Sequence, residues 1–133
     1  MAAAAKKILV VEDNNDWREV LTIIIKRLGY DVIAAATGED GVAQAAAALP
    51  DLVLMDIGLP RMSGDQATAH LKGNATTKDI PVIIQTAFGM GPSAERALAA
   101  GAAEILHKPI SMSVIEKVLG KYLPGSRPAA TPI

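Results

Sequence analysis

The sequence predicts an α/β domain in which a mostly parallel, five-stranded sheet carries helices on both faces. Short apolar runs recur along the chain, and each is followed by a segment with the signals of a helix. Wholly apolar runs of this length are typical of strands buried on both faces of a parallel sheet. Five such alternations favour helices on both faces of the sheet, and 133 residues fall within the usual size of one domain.

The first strand and helix have clear boundaries. Residues 8–11 form a wholly apolar run, and Asn14 or Asn15 then caps a helix that Gly29 ends. The apolar side chains of this helix recur at helical spacing, at Trp17, Val20, Leu21, Ile24 and Leu28. We interpret Trp17 as the apolar anchor of the helix, packing at the rim of the site described below.

The second and third strands are separated by a helix with its own start and stop signals. Residues 31–35 predict a weaker strand. Residues 37–40 resemble a capping box, and Pro50 terminates the helix that this box begins. Residues 52–55 predict a third buried strand, which Asp56 follows directly.

The third helix and fourth strand follow the same pattern. Ser63 and Gln66 have the spacing of a capping box, which opens a helix that runs to about Lys72. Pro81 stands at the entry of the fourth strand, residues 82–84, where a missing N–H is tolerated.

The last elements complete the fifth alternation. Pro92 stands where the fourth helix begins and Gly101 where it stops. Residues 104–106 predict the fifth strand, and Ser111 or Ser113 caps the final helix. The apolar face of that helix comprises Val114, Ile115, Val118, Leu119 and Tyr122.

Composition excludes several classes of function. Thirteen basic and 14 acidic residues give a net charge of -1, so no basic surplus points to nucleic acid or to an anionic membrane. The chain has no cysteine, which excludes disulfides and thiolate metal sites. No apolar run approaches the roughly 20 residues that span a bilayer. We expect a cytoplasmic protein with one domain at residues 6–123, flanked by a flexible N-terminus (1–5) and a flexible tail (124–133).

Polar residues gather where the predicted strands end. Glu12 and Asp13 follow the first strand, Asp56 the third, Thr86 the fourth and Lys108 the fifth. In open α/β sheets, ligands bind beyond the carboxyl ends of the strands, where the strand order reverses. For the order 2-1-3-4-5, that point lies between strands one and three, which carry the three carboxylates.

Three neighbouring carboxylates require either raised pKa values or a bound cation. Two unit charges about 4 Å apart repel by about 4 kcal/mol at an effective dielectric constant near 20. Oxygen ligands without His or Cys select a hard ion such as Mg²⁺, Mn²⁺ or Ca²⁺. A carboxylate beside such an ion is a nucleophile for a phosphoryl group. The Lys108 ammonium would place positive charge beside the phosphoryl oxygens, and the Thr86 hydroxyl would donate one hydrogen bond to the phosphoryl group.

Four motifs in this order resemble the receiver domain of bacterial two-component response regulators. They are Val10-Val11-Glu12-Asp13, the run from Met55 to Gly64 (MDIGLPRMSG), Thr86-Ala87 and Lys108-Pro109. The resemblance covers residues 6–123 and is closest to the single-domain, cell-cycle type. It implies a flavodoxin-like doubly wound (βα)5 fold with the strand order 2-1-3-4-5.

The resemblance also implies roles for the site residues. Asp56 would be the phosphoacceptor and a ligand of Mg²⁺, with Mn²⁺ as a possible substitute. Asp13 would bind the ion directly, Glu12 through water, and Gly58 through its backbone carbonyl. Thr86 and Lys108 would bind the phosphoryl oxygens, and Lys108-Pro109 would be a cis peptide.

The function implied is that of a stand-alone regulator and not of an enzyme. A sensor histidine kinase or a histidine phosphotransfer protein would donate the phosphoryl group. The phosphorylated chain would change its affinity for a downstream protein target, as a monomer or weak dimer, and would at most dephosphorylate itself slowly.

Two positions depart from the family pattern. The family often has Tyr or Phe three residues before the lysine, where this chain has Ile105. We therefore expect the loop of residues 88–92, through Thr86 and Phe88, to carry the conformational switch. Gly58 offers no side chain to orient or shield the water that hydrolyses the phosphoryl group.

Two other functions compete with this interpretation. A receiver-like module could bind partners without phosphorylation, but the intact set of acids, Thr86 and Lys108 argues against it. Phosphatases and mutases on similar folds usually carry an acid two residues after the nucleophile, where this chain has Gly58. His70 and His107 have no metal-like partner nearby in sequence and are interpreted as surface or structural residues.

Overall fold

The computed structural model describes residues 5–87 and 89–124 and shows five alternating strands and helices. The strands are β1 Lys7–Val11, β2 Asp31–Ala35, β3 Leu52–Asp56, β4 Val82–Thr86 and β5 Glu104–His107. The helices are α1 Asn15–Arg27, α2 Gly38–Ala48, α3 Gly64–Lys72, α4 Pro92–Ala100 and α5 Met112–Tyr122. The predictions for Phe88, for residues 1–4 and for residues 125–133 lie outside the described residues.

The five strands form one parallel sheet in the order β2-β1-β3-β4-β5, as predicted. The order reverses at β1, whose neighbours are β2 and β3. The carboxyl ends of β1 and β3 therefore flank the crevice where ligands bind in folds of this kind.

The core is divided by the sheet into two apolar layers, because alternate strand residues point to opposite faces. On one face, Leu9 and Met55 pack with Ala67 and Ala97, which come from α3 and α4. On the other face, side chains of β1 and β3 pack against α1 and α5. This second layer contains Ile8, Val10, Leu21, Ile25, Leu52, Leu54, Ile115, Val118 and Leu119. With one Phe and one Trp in the chain, aliphatic side chains supply most of this packing.

Most helix boundaries follow the capping signals in the sequence. The side chains of Asn14, Thr37 and Ser111 accept hydrogen bonds from the backbone N–H three residues on. The Ser63 N–H donates to the Gln66 side chain at 3.1 Å, as in the predicted capping box. Gly101 follows α4 with a φ of 116°, a conformation that glycine adopts without a Cβ clash.

Three predicted strand ends, those of β3, β4 and β5, were wrong by one or two residues. Asp56 and Thr86 were expected just beyond β3 and β4, but each is the last residue of its strand. The reason is backbone pairing, since Asp56 is still in register with Gln85 and Thr86 with His107. Among the described residues, no helix combines the length and apolar character needed to span a bilayer.

Candidate functional site

The sheet's hydrogen bonding continues past the strands and positions the site residues. The Glu12 N–H donates to the Ala35 carbonyl at 3.0 Å, and the Lys108 N–H donates to the Thr86 carbonyl at 2.8 Å. Asp56 belongs to β3, which is buried along its whole length. Residues from β1, β3 and β5 are thus held at one edge of the sheet by backbone geometry.

Three carboxylates lie together at this edge. Glu12, Asp13 and Asp56 each offer an oxygen, and these oxygens lie within 4.8 Å of one another. Glu12 is fully buried and Asp56 is 5% exposed, whereas Asp13 reaches solvent. The donor set consists of carboxylate oxygens, which hard divalent cations prefer. The residues present therefore fit a Mg²⁺ or Mn²⁺ ion.

Lys108 pairs with two of the three acids. Its Nζ lies 2.9 Å from Oε1 of Glu12 and 2.9 Å from Oδ1 of Asp56. Burial alone would lower the pKa of Lys108, but the hydrogen bonds and charges of these two carboxylates outweigh burial and raise it. Lys108 is therefore an ammonium ion at neutral pH, shared between the two buried acids.

Glu12 is held by groups from several directions. Its Oε2 accepts from the Asn14 N–H at 3.0 Å, and its Oε1 accepts from the Gln85 Nε2 at 3.2 Å in addition to Lys108. The Arg18 guanidinium donates to the Glu12 backbone carbonyl at 2.9 Å. Burial has the largest effect and, together with the charge of Asp56, raises the pKa of Glu12 despite the hydrogen bonds from Lys108 and Asn14.

Gln85 belongs to the site although the sequence analysis did not single it out. It is fully buried on β4, and its Oε1 accepts from the Trp17 indole at 2.8 Å. Trp17 packs against the core layer under α1, as expected of an apolar anchor, and adds this polar contact. The available signal was a polar side chain at the end of an apolar run, Val82 to Thr86, in a strand buried on both faces.

Space for a ligand opens beside Asp56. A groove of about 260 Å³ is lined by Ile57, Gly58, Thr86, Gly89, Gly91, Pro92, Ser93 and Ala94. A Cβ atom at Gly58 would lie 3.9 Å from Asp56 Oδ2, so a side chain there would begin directly over the carboxylate. The Thr86 side chain is buried at the wall of this groove.

The remaining candidate residues lie outside the acidic cluster. Ile105 is half-buried and packs against the apolar layer under α3 and α4. His70 and His107 join no group of potential metal ligands within the two described segments. The Lys108-Pro109 peptide is cis, as the resemblance implied.

A family model for the response regulator receiver domain matches residues 8–120. The chain belongs to this family. PilH of Pseudomonas aeruginosa is 37% identical to this receiver over 119 residues, which are 90% of this chain and 98% of PilH. The polar-differentiation response regulator DivK of Brucella ovis is 36% identical over 118 residues, which are 89% of this chain and 96% of DivK. The match spans nearly the full length of both proteins, and the predicted family and fold are confirmed.

Solved receiver structures superpose closely on this one. The chemotaxis protein CheY4 of Vibrio cholerae has a TM-score of 0.85 at 27% identity, covering 90% of this receiver and 100% of that chain. The receiver domain of the sensor histidine kinase PA1611 from Pseudomonas aeruginosa has a TM-score of 0.84 at 31% identity, covering 90% and 98%. That structure contains a magnesium ion coordinated in its active-site cleft.

Proposed function

We propose that this response regulator receiver accepts a phosphoryl group on Asp56 in a divalent-metal-dependent reaction. The observation that carries the proposal is the contact of Lys108 Nζ with Asp56 Oδ1 at 2.9 Å, beside a cluster of three carboxylates. One carboxylate is thus placed between a cation and a group of potential metal ligands. This is the environment that a phosphoryl acceptor needs.

The acidic cluster is the proposed metal site. Asp13 and Asp56 would bind the ion directly, Glu12 through water, and Gly58 through its backbone carbonyl. When all are ionised, three carboxylates and one ammonium leave an excess of negative charge, which favours a divalent cation. A bound Mg²⁺ would supply positive charge for the oxygens of the transferring phosphoryl group. The magnesium ion in the cleft of the PA1611 receiver supports this assignment.

The chemical step is a displacement at phosphorus. A lone pair of an Asp56 carboxylate oxygen forms the new O–P bond, while the P–N bond of a donor phosphohistidine breaks. The electron pair of the P–N bond returns to the imidazole nitrogen, which takes up a proton from water. Such a transfer depends on positioning and on charge around the phosphoryl oxygens more than on covalent help from the protein.

Lys108 and Thr86 are the proposed ligands of the transferred group. Lys108 Nζ already contacts the acceptor carboxylate and needs only a short movement to reach a phosphoryl oxygen bound to it. Thr86 lines the groove beside Asp56, and its hydroxyl is a suitable donor. Ala87 is small and leaves room for the incoming group.

The partners and the cellular setting belong to the same proposal. A sensor histidine kinase or a histidine phosphotransfer protein is the proposed donor of the phosphoryl group. A cytoplasmic protein is the proposed downstream target. Neither nucleic acid nor a membrane is a proposed ligand. The chain is not expected to turn over substrate, because Gly58 provides no general acid near Asp56.

Intact-mass measurement after incubation with acetyl phosphate and Mg²⁺ tests the proposal. The wild type is expected to gain the mass of one phosphoryl group, Asp56→Ala to gain none, and the control Asp79→Ala, altered at an exposed loop acid, to gain it as the wild type does. No gain with either Mg²⁺ or Mn²⁺ would contradict the proposal and favour a phosphorylation-independent binding module. Rapid multiple turnover of acetyl phosphate would instead indicate a phosphatase.

A further inference from the structure

A chain of hydrogen bonds connects helix α1 to the acidic cluster through the interior of the domain. The Trp17 Nε1 donates to the Gln85 Oε1 at 2.8 Å, and the Gln85 Nε2 donates to the Glu12 Oε1 at 3.2 Å. Gln85 and Glu12 are fully buried. Water therefore does not compete for the Gln85–Glu12 hydrogen bond, whereas the Trp17 end of the connection is half-buried.

Trp17 determines which way the Gln85 amide faces. An indole N–H is a donor only, so the amide atom that faces it must be the carbonyl oxygen. The amide NH₂ then points to Glu12. With the amide reversed, the NH₂ would face the indole N–H and the carbonyl oxygen would face a carboxylate, and both contacts would be unfavourable.

The position of Gln85 matters because Lys108 contacts the Glu12 carboxylate in this structure and is also the proposed ligand of a phosphoryl group on Asp56. In this structure Lys108 Nζ contacts Glu12 Oε1 and Asp56 Oδ1 equally. If Lys108 turns to a phosphoryl group on Asp56, as the proposed function requires, Glu12 Oε1 loses its ammonium partner. The Gln85 amide is then the side-chain donor that stays on that oxygen.

We infer that Gln85 is a positioning residue for the metal-binding carboxylate Glu12 and that Trp17 acts through Gln85 by fixing its amide. This inference rests on the proposed function, since it assigns Glu12 to a metal site. Groups that hold a metal's ligands, or the waters between them and the metal, change metal affinity when they are removed, typically by a factor of 10 to 100.

A space-filling role alone does not explain a glutamine at this position. Ile83 and Ile84, which precede Gln85 on the same strand, are also fully buried and fill their space with apolar atoms. Burying an amide is unfavourable unless its polar atoms are hydrogen-bonded. Both polar atoms of the Gln85 amide are hydrogen-bonded, the oxygen to Trp17 and the nitrogen to Glu12 of the acidic cluster.

Manganese binding measures the role of Gln85 without any phosphoryl donor. We expect Gln85→Met, which keeps the bulk and removes the amide, to weaken Mn²⁺ binding about tenfold, measured by electron paramagnetic resonance of the free ion. The control Ile83→Val trims a buried side chain of the same strand away from the cluster and should bind Mn²⁺ as the wild type does. Equal dissociation constants for Gln85→Met and the wild type would overturn the inference.

A double-mutant cycle separates positioning from general loosening of the core. Trp17→Phe keeps an aromatic anchor and removes the indole N–H, so it tests the Trp17–Gln85–Glu12 hydrogen bonds even where Gln85→Met folds poorly. We expect Trp17→Phe to weaken Mn²⁺ binding less than Gln85→Met does, and the double variant to bind no more weakly than Gln85→Met alone. Additive losses would show that Trp17 does not act through Gln85.

Tryptophan emission gives a further readout, because Trp17 is the single tryptophan of the chain. Mg²⁺ should change its emission in the wild type, and this response should be lost in Gln85→Met. A response that persists in Gln85→Met would count against the connection. Failure of the wild type to gain a phosphoryl group would refute the proposed function alone, since the difference in Mn²⁺ affinity would still stand.

Discussion

The Lys108 Nζ lies 2.9 Å from Asp56 Oδ1, although Lys108 follows β5 and Asp56 ends β3, and β4 lies between these two strands in the sheet. The lysine side chain is long enough to cross that strand and is also 2.9 Å from Glu12 Oε1. One cation thus faces two buried acids, with the exposed Asp13 beside them. Much of the electrostatic behaviour of the domain should follow from this imbalance of charge.

Divalent metal should stabilise the folded domain. A ligand that binds only the folded state at ten times its dissociation constant adds about 1.4 kcal/mol to the free energy of unfolding. Thermal unfolding with and without Mg²⁺ should show this increase in the wild type and lose it in Asp13→Asn. The control Asp16→Asn removes an exposed acid in the first turn of α1 and should keep the increase. Equal Mg²⁺ responses in both variants would argue against the acidic cluster as the metal site.

The residue at position 58 should set the lifetime of the phosphoryl group. A Cβ there would lie 3.9 Å from Asp56 Oδ2, close enough for a longer side chain to contact attacking water. We expect Gly58→Gln or Gly58→Asn to shorten the lifetime several-fold, because an amide can orient that water. Gly58→Leu should lengthen it by excluding water. Loss of radiolabelled phosphate over time measures both effects, and unchanged rates in all three variants would exclude a role for this position.

The ion pair between α3 and α4 should contribute stability that depends on pH. Arg96 Nε lies 2.9 Å from Oδ2 of Asp65, whose side chain is 8% exposed, while Arg96 is 61% exposed. Because of this exposure, we expect Arg96→Met to lower the free energy of unfolding by about 1 kcal/mol at neutral pH. The control Arg61→Met breaks the more exposed pair with Glu39 and should cost less.

The direction of the pH effect follows from Asp65. Burial raises its pKa, but hydrogen bonds from Ser63, Arg96 and its own backbone N–H, together with the charge of Arg96, outweigh burial, so its pKa lies below the ordinary value of 3.8. A carboxyl group with a lowered folded-state pKa stabilises the fold above 3.8 and loses that contribution as the pH falls through the folded-state value. Denaturant unfolding of wild type and Arg96→Met should therefore converge below pH 3.8. A difference that stays constant well below pH 3.8, where the carboxyl group is protonated in both the folded and the unfolded state, would contradict this account.

Two glycines should respond to alanine in opposite ways. A Cβ at Gly64 would overlap the Asp56 carbonyl oxygen and lie 2.8 Å from the Ile57 Cα, where only backbone movement could relieve the clash. We expect Gly64→Ala to destabilise the domain by about 1–3 kcal/mol. Gly120 has open space around its Cβ position in α5, so Gly120→Ala should stabilise by about 0.5–1 kcal/mol. Chemical denaturation measures both values, and changes of the same sign would refute the comparison.

Local signals in the sequence predicted the elements and the acidic site. A cap such as Asn14 and an apolar run such as residues 52–55 depend on neighbours within a few positions, so their meaning can be read without the fold. The grouping of Glu12, Asp56 and Lys108 followed from one rule, that parallel strands end at the same edge of the sheet.

Contacts between distant residues could not be predicted in the same way. The Trp17–Gln85 and Arg96–Asp65 hydrogen bonds join different elements, and their geometry depends on side-chain directions that only the packed structure determines. The ends of β3 and β4 were misplaced for a related reason. Whether Asp56 or Thr86 still pairs with a neighbouring strand depends on register, which the apolar pattern of one strand does not specify.

The strand order has a consequence for dissecting the domain. The acids and the lysine lie at the carboxyl ends of β1, β3 and β5, so no contiguous half of the chain contains the whole site. A fragment that ends after α2 would carry Glu12 and Asp13 but lack Asp56 and Lys108, and the complementary fragment that starts at β3 would lack Glu12 and Asp13. Complementary fragments should therefore recover metal affinity only when they reassociate, and metal binding would then serve as an assay for reconstitution of the sheet.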